Sequence, residues 1–188
     1  MGTHATRLER VLATECVVDF ASFTNAEVRR QRGEARAEED DLSFLRRVLH
    51  GRIDILVAEQ TRRASGDPGS LVDRLAVILA DAPPAGPPRS VRHVGVEPAG
   101  EPGEFRVGME ARLDELHLSD ALSRPDTGLA EVLDALRGLE HEVSGLRVRV
   151  HTVEGRFAGD LGRRYRDGEA TVNDLLQPDG PDGDRSME

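Results

Sequence analysis

EEDDLSFLRRVLHGRIDIL, residues 38–56, is the stretch that decides the fold, and LEHEVSGLRVRVHTVEG, residues 139–155, repeats its pattern. When the two stretches are aligned from their second residues, five positions in a window of sixteen are identical. These pairs are Glu39/Glu140, Ser43/Ser144, Leu45/Leu146, Arg46/Arg147 and His50/His151. Leu and Val also replace each other at two further positions, so the repeat predicts two elements of the same kind.

The apolar residues of each copy recur at alternating steps of three and four, which is the spacing of a helix seam. They are Leu42, Leu45, Leu49 and Ile53 in the first copy, and Leu139, Val143, Leu146, Val150 and Val153 in the second. A polar residue follows each seam position, so that Glu39, Ser43, Arg46, His50 and Asp54 form a stripe spanning about 80° of the first helix. Each copy therefore predicts a helix with an apolar seam and a polar stripe beside it.

The composition favours long amphipathic helices, because only 3% of the 188 residues are aromatic and 32% are charged. The formal net charge of −10 argues against direct DNA binding and suits a partner with a basic surface. Cys16 is the single cysteine, which excludes an internal disulfide and favours a cytoplasmic location. Glu15 and Asp19 interrupt the apolar run near the N-terminus, so we expect no signal peptide or membrane span.

The pattern predicts an all-α fold in which two long helices form an antiparallel coiled-coil hairpin. The capping box of Thr24 and Glu27 opens the first helix, at about 24–63, and Asp126 is the expected N-cap of the second, at about 127–176. Between them we expect a Pro/Gly-rich linker with short helices, at about 66–125, including 71–80 and 105–117. Residues 1–23 receive no role, although a short helix around 8–18 fits their pattern, and 178–188 are expected to be a disordered tail.

The side chains of the two stripes have the chemistry to read a guanine nucleotide. Arg can donate two hydrogen bonds to guanine O6 and N7, and it can stack on the purine. A carboxylate can accept from the guanine N1 and N2 hydrogens, whereas Ser and His can reach phosphate. The alternative is structural, since polar residues beside a coiled-coil seam commonly pair the helices. A metal site at His50 and His151 is a weaker alternative, and no motif for catalysis is present.

The twin spacing E-x3-S-x2-R-x3-H resembles the signature of the RsiG family, the cyclic di-GMP-dependent anti-sigma factors of actinomycetes. The sequences DLSFLRRVLHGRIDIL (41–56), LVDRLAVILADAP (71–83), RHV (92–94) and RRYRDGEATVNDLL (163–176) also resemble that family. The likeness covers most of residues 24–177, which would form one helical anti-sigma domain. It implies a regulatory protein without enzymatic activity.

In the family, the motif residues bind cyclic di-GMP where the protein contacts a sigma factor of the flagellar/sporulation type, and the ligand holds that sigma factor inactive. The resemblance implies a first set of ligand-binding residues comprising Glu39, Ser43, Arg46, His50 and Asp54. It implies a second set comprising Glu140, Ser144, Arg147 and His151. A metal cofactor is not implied.

Two departures from the family pattern affect this expectation. The family's Gln is His in both copies, and Gly155 occupies the position of the last Asp of the second copy. Imidazole has one polar arm where Gln has two, and its charge changes near neutral pH. We therefore expect an asymmetric site with a stronger first motif. The alternative is a diverged helical protein that binds its sigma factor or another partner without nucleotide.

Overall fold

The computed structural model describes residues 5–17, 19–66 and 100–170, and within these ranges it contains helices but no strand. The helices are α1 (Arg7–Ala13), α2 (Asn25–Ser65), α3 (Glu104–Glu115), α4 (Leu118–Ser123) and α5 (Asp126–Arg166). The predicted all-α class with two long helices is confirmed. The predicted helix at 71–80 and the predicted tail at 178–188 lie outside the described residues.

Helix α2 begins at the capping box that the sequence predicts. The Thr24 hydroxyl accepts a hydrogen bond from the Glu27 amide, and the Glu27 carboxylate accepts one from the Thr24 amide at 2.7 Å. These bonds satisfy two donors that a helix N-terminus otherwise leaves without a partner. The helix ends at Ser65, and the C-cap residue Gly66 has a φ of +65°, in the left-handed region that glycine adopts at helix C-termini.

The boundaries of α5 differ from the prediction at both ends. Pro125, not Asp126, is the N-cap residue, because its extended backbone (φ −62°, ψ 165°) leads directly into the first helical residue. Asp126 is instead in the first turn and accepts a hydrogen bond from Arg63 at 3.0 Å. The helix ends at Arg166, ten residues before the predicted end, and Gly168 adopts the left-handed region with a φ of +76°.

Side-chain contacts show that α2 and α5 lie side by side and run in opposite directions. Arg32 near the start of α2 bonds to Glu154 near the end of α5, at 2.9 Å. Arg63 at the end of α2 bonds to Asp126 at the start of α5. The predicted coiled-coil type of packing between the two helices stays a prediction.

The core follows the predicted seams. Leu42, Leu45 and Leu49 are fully buried, and each fully buried Leu contributes roughly 2 kcal/mol through removal of apolar surface from water. The α5 seam is buried at nearly every position, with Leu146 only partly buried. Its buried members are Leu129, Val132, Leu136, Leu139, Val143, Val150, Val153 and Phe157.

Helices α1 and α3 both pack against α2. The apolar contribution of α1 is small and consists of the buried Leu8 and Val11. That of α3 consists of Met109 and Leu113. Helix α1, which lies in the segment that the sequence left without a role, is thus part of the packed structure, and Arg7 also contributes polar contacts to it.

Candidate functional site

Residues of the two predicted stripes meet across the α2–α5 contact. The Glu140 carboxylate of α5 accepts hydrogen bonds from two residues of the first motif, the Arg46 Nε at 3.3 Å and the His50 Nε2 at 3.0 Å. It also accepts one from the Ser144 hydroxyl of its own motif, at 2.6 Å. One oxygen of a single carboxylate therefore joins both copies of the repeat.

The reciprocal arrangement is centred on the Glu39 carboxylate of α2. Its Oε1 lies 3.5 Å from the Arg147 Nη1 and 3.0 Å from the His151 Nδ1. The Glu of each motif is thus held by the Arg and the His of the other motif, which gives the site an approximate two-fold symmetry. We call these side chains the motif cluster: Glu39, Arg46, His50, Glu140, Ser144, Arg147 and His151.

The symmetry of the motif cluster is broken at the serines. Ser144 donates to Glu140, whereas the Ser43 hydroxyl makes no hydrogen bond within the described ranges. The Ser144 hydroxyl, followed by His50 and then Arg46, lowers the pKa of the Glu140 carboxyl below its ordinary value. Glu140 is therefore ionised at neutral pH and is held in one orientation by three donors.

The motif cluster is accessible from solvent. The Arg46 and His50 side chains are 42% and 47% exposed, and those of Arg147 and His151 are 32% and 66% exposed. The glutamates lie deeper between the helices. Ion pairs with this exposure contribute little to stability, so rearranging them costs little.

The last predicted ligand position of each motif lies apart from these contacts. Asp54 is exposed, and its carboxylate has no hydrogen bond or ion pair within the described residues. Gly155, at the equivalent position on α5, is also exposed, and a side chain added there would meet open space. The structure therefore brings together seven of the nine predicted site residues and leaves Ser43 and Asp54 without a contact to them.

Sequence reasoning missed a second group of charged residues, on another face of α2. Arg7 of α1 donates its Nε to Glu38 at 2.7 Å and its Nη2 to Asp41. Arg106 of α3 donates to the other oxygen of Asp41 at 3.3 Å. We call these four residues the buried cluster, because Glu38, Asp41 and Arg106 are each at most 6% exposed.

Gly103 completes the buried cluster by close approach of its backbone. Its amide donates to Asp41 at 2.8 Å. A Cβ at this position would lie 2.6 Å from the Arg7 Nη2 and 3.1 Å from the Glu38 carboxylate, so a larger residue would collide with the ion pairs. A sequence signal that could have revealed this cluster is Glu38, which lies four residues before Leu42 and so places a charged side chain where the apolar seam continues.

The desolvation of the Glu38 carboxyl raises its pKa, and the neighbouring Arg7 only partly offsets that effect. One Glu38 oxygen, Oε1, is buried without a hydrogen-bond partner. The buried cluster therefore holds α1 and α3 against α2, and the burial of the Glu38 charge makes this arrangement electrostatically costly. None of its four charged residues belongs to the motif cluster.

The structure thus shows a helical protein whose twin motifs lie on two antiparallel helices and meet in the motif cluster. Residues 16–79, which contain the whole first motif, match a family model described as RsiG-like. The match covers 64 of the 188 residues, so this part of the chain is similar to that family, and the similarity suggests an anti-sigma factor role with a sigma factor as partner.

No curated protein gives a significant match to this chain. Among the described residues, no helix has the length and apolar character needed to cross a membrane. Within the same ranges, no three His, Cys, Asp or Glu side chains are grouped in a way that would hold a metal ion.

Proposed function

We propose that this protein is an anti-sigma factor that binds cyclic di-GMP at the motif cluster. In this proposal the nucleotide holds a sigma factor of the flagellar/sporulation type in an inactive complex in the cytoplasm. The scaffold is an antiparallel coiled-coil hairpin, and the protein binds its ligand without transforming it. The observation that carries the proposal is the reciprocal pairing of Glu39 and Glu140 with the Arg and His of the opposite motif.

The reciprocal pairing matches the hydrogen-bonding pattern of guanine. In the structure, Arg46 donates to Glu140 and Arg147 donates to Glu39, at distances of 3.3 and 3.5 Å. A guanine base placed between the two partners offers O6 and N7 as acceptors to the Arg and the N1 and N2 hydrogens as donors to the Glu. Both partners would keep their hydrogen bonds, so the exchange leaves no charge without a partner.

The two-fold symmetry of the motif cluster suits the symmetry of a cyclic dinucleotide, which has two guanines and two phosphodiesters. The guanidinium groups of Arg46 and Arg147 also offset the two negative charges of such a ligand. Because the ligand would contact both the helices and the sigma factor, it would bind the assembled state more tightly than the free proteins. High ligand concentration would then shift the sigma factor into the inactive complex.

A second candidate is binding of the sigma factor or another partner without nucleotide. The observation that favours it is that Glu39 and Glu140 already have hydrogen-bond partners within the cluster, while Gly155 provides no side chain at the end of the second motif. In that case the Arg–Glu pairs would have only the structural role of joining α2 to α5.

Calorimetric titration of cyclic di-GMP distinguishes the two candidates. The nucleotide is titrated into the protein alone and into its mixture with a flagellar-type sigma factor from the same genome. We expect binding that is much tighter in the mixture and that is lost in Arg46→Ala. The matched control is Arg137→Ala, because Arg137 is an exposed residue of α5 whose described ion pair is with Asp134. Co-elution of the two proteins without any heat from the nucleotide would favour the second candidate.

A further inference from the structure

A cavity of about 320 Å³ opens between α2 and α5, toward the start of α2. We call it the arginine cavity, and it is lined by Arg29, Arg32, Gly33 and Arg36 of α2 and by Leu161 of α5. The proposed nucleotide contacts use none of these residues. The volume lies near the lower end of the range for small-molecule sites, roughly 300 to 1,000 Å³.

Two of the three arginines in this arginine cavity are oriented by side chains of α5. Arg29 donates its Nη2 to the Tyr165 hydroxyl at 3.1 Å, and its guanidinium carbon lies 5.9 Å from the centre of the Tyr165 ring. Arg32 donates its Nε to Glu154 at 2.9 Å. These contacts hold two guanidinium groups in place and reduce the entropy that a ligand must overcome to order them.

Arg36 is the third arginine, and it differs from the other two in its contacts. It is exposed and forms no hydrogen bond or ion pair within the described part of the chain. Glu154 is paired with Arg32 beside the cavity. Arg36 therefore adds a guanidinium group whose N–H donors remain available to an anion, although the whole protein has a net charge of −10.

We propose that the arginine cavity is an anion site that binds a phosphate group of a small ligand. The planar guanidinium group presents paired N–H donors that match the oxygens of phosphate, and several such groups around one anion strengthen the effect. Leu161 supplies an apolar surface on which the organic part of the ligand can rest. This site does not depend on the binding of cyclic di-GMP to the motif cluster.

The phosphate group has two possible sources. One is a free phosphorylated anion, and the other is a nucleotide whose base is held by the motif cluster. The second source is within reach, because Glu154, the partner of Arg32, lies one helical turn beyond His151 on α5. Competition between pyrophosphate and cyclic di-GMP distinguishes the two sources.

Gly33 allows the arginine cavity to be blocked without disturbing the fold. A Cβ added at Gly33 meets no atom within 4 Å, and replacing an exposed glycine within a helix favours the helix. Gly33→Glu would place a side chain and a negative charge at the cavity wall. The matched control is Gly138→Glu, because Gly138 is an exposed glycine of α5 that also has open space around it.

Inorganic pyrophosphate is the probe, and its binding to the full chain is measured by calorimetry. We expect the wild-type chain and Gly138→Glu to bind it equally, while Gly33→Glu and Arg36→Ala each weaken binding about tenfold or more, as expected for loss of a charge-assisted contact. Circular dichroism verifies that all variants are folded. A wild-type chain that fails to bind pyrophosphate, or equal binding by all four proteins, would overturn the proposal.

Competition then identifies the source of the phosphate. If cyclic di-GMP, with the sigma factor present, displaces pyrophosphate from the wild-type chain, the cavity holds a phosphate of the nucleotide. If pyrophosphate stays bound while cyclic di-GMP binds, the cavity serves a separate phosphorylated anion. Loss of cyclic di-GMP binding in every protein, with pyrophosphate binding intact, would refute the proposed function and leave the anion site standing.

Discussion

Helix α2 has two charged clusters on different faces, and they differ in burial and in what they connect. The buried cluster joins α2 to α1 and α3 through Glu38 and Asp41, which are 0% and 3% exposed. The motif cluster joins α2 to α5 through side chains that are mostly a third to two thirds exposed. Neighbouring residues such as Glu38 and Glu39 thus have different roles because they lie about 100° apart on the helix.

The difference in burial separates residues that stabilise the fold from residues that can exchange their partners. Removing one partner from a buried ion pair leaves a charge without compensation, whereas an exposed pair is replaced by water at little cost. We therefore expect substitutions in the buried cluster to affect folding and substitutions in the motif cluster to affect binding. Single substitutions in each cluster test that division.

Asp41→Ala should have the largest effect on folding. Asp41 accepts hydrogen bonds from Arg7, from Arg106 and from the Gly103 amide, so its loss leaves two guanidinium groups without this carboxylate. We expect the free energy of unfolding to fall by about 3 kcal/mol, measured by urea denaturation. Asp40→Ala is the control, because Asp40 is exposed and adjacent in sequence. A similar loss in both variants would show that the buried cluster is not a special source of stability.

Glu38→Gln should change the pH dependence of stability. Because burial raises the pKa of Glu38, the folded protein holds the Glu38 proton more tightly than the unfolded chain does. The stability of the wild-type protein relative to Glu38→Gln should therefore be greatest below the ordinary pKa of Glu. It should decrease as pH rises through the higher pKa of the folded state.

Urea denaturation of wild-type and Glu38→Gln proteins at a series of pH values measures this difference. Glu34→Gln is the control, because Glu34 is less buried and pairs with the exposed side chains of Arg10 and Arg30. A constant difference between wild type and Glu38→Gln across the series would contradict the proposed cost of burying the Glu38 charge.

Glu140→Gln should have a small effect on folding and a large one on binding. The pKa of Glu140 is lowered, so its contribution to stability is present above the ordinary pKa of Glu and is lost as pH falls through the folded value. Since its partners are largely exposed, we expect less than about 1 kcal/mol at neutral pH. Calorimetry should nevertheless show loss of nucleotide-dependent sigma binding.

The control for Glu140→Gln is Glu142→Gln, because Glu142 is an exposed residue of the same helix and lies 3.8 Å from Arg112. It should keep both stability and binding. If Glu140→Gln unfolds the protein as readily as Asp41→Ala does, the division of roles between the two clusters is wrong.

The two clusters also differ in how much the sequence could reveal. The 3–4 spacing of apolar residues predicted both long helices, and the Thr24–Glu27 box predicted the first residue of α2 to within one position. The shared spacing of Glu, Arg and His predicted the side chains of the motif cluster. Their reciprocal pairing needed the structure, because it depends on the relative axial position of two antiparallel helices.

The buried cluster was beyond sequence reasoning for a physical reason. Arg7 and Asp41 are 34 residues apart, and Arg106 lies 65 residues beyond Asp41, so no periodic pattern relates them. Charged residues are usually predicted to lie on the surface, and this tendency hid the burial of Glu38 and Asp41. The end of α5 was overestimated because apolar residues continue in the sequence beyond Arg166, although Gly168 adopts a left-handed backbone conformation just after the helix.

Gly155→Asp tests the motif cluster by adding a group where the others remove one, and it should have the smallest effect on stability. Gly155 is exposed, a Cβ there meets no atom within 4 Å, and Asp is slightly better than Gly within a helix, by a few tenths of a kcal/mol. The variant supplies the carboxylate that the resemblance to the RsiG family leads one to expect at the end of the second motif. If the motif cluster binds guanine, a new acceptor for the base should tighten cyclic di-GMP binding about tenfold.

Gly145→Asp, at another exposed glycine of α5 with open space around it, should leave the affinity unchanged. Equal affinities in the wild type and both variants would indicate that the second motif does not contribute a base contact at position 155, and that Glu140, Ser144, Arg147 and His151 define its full extent.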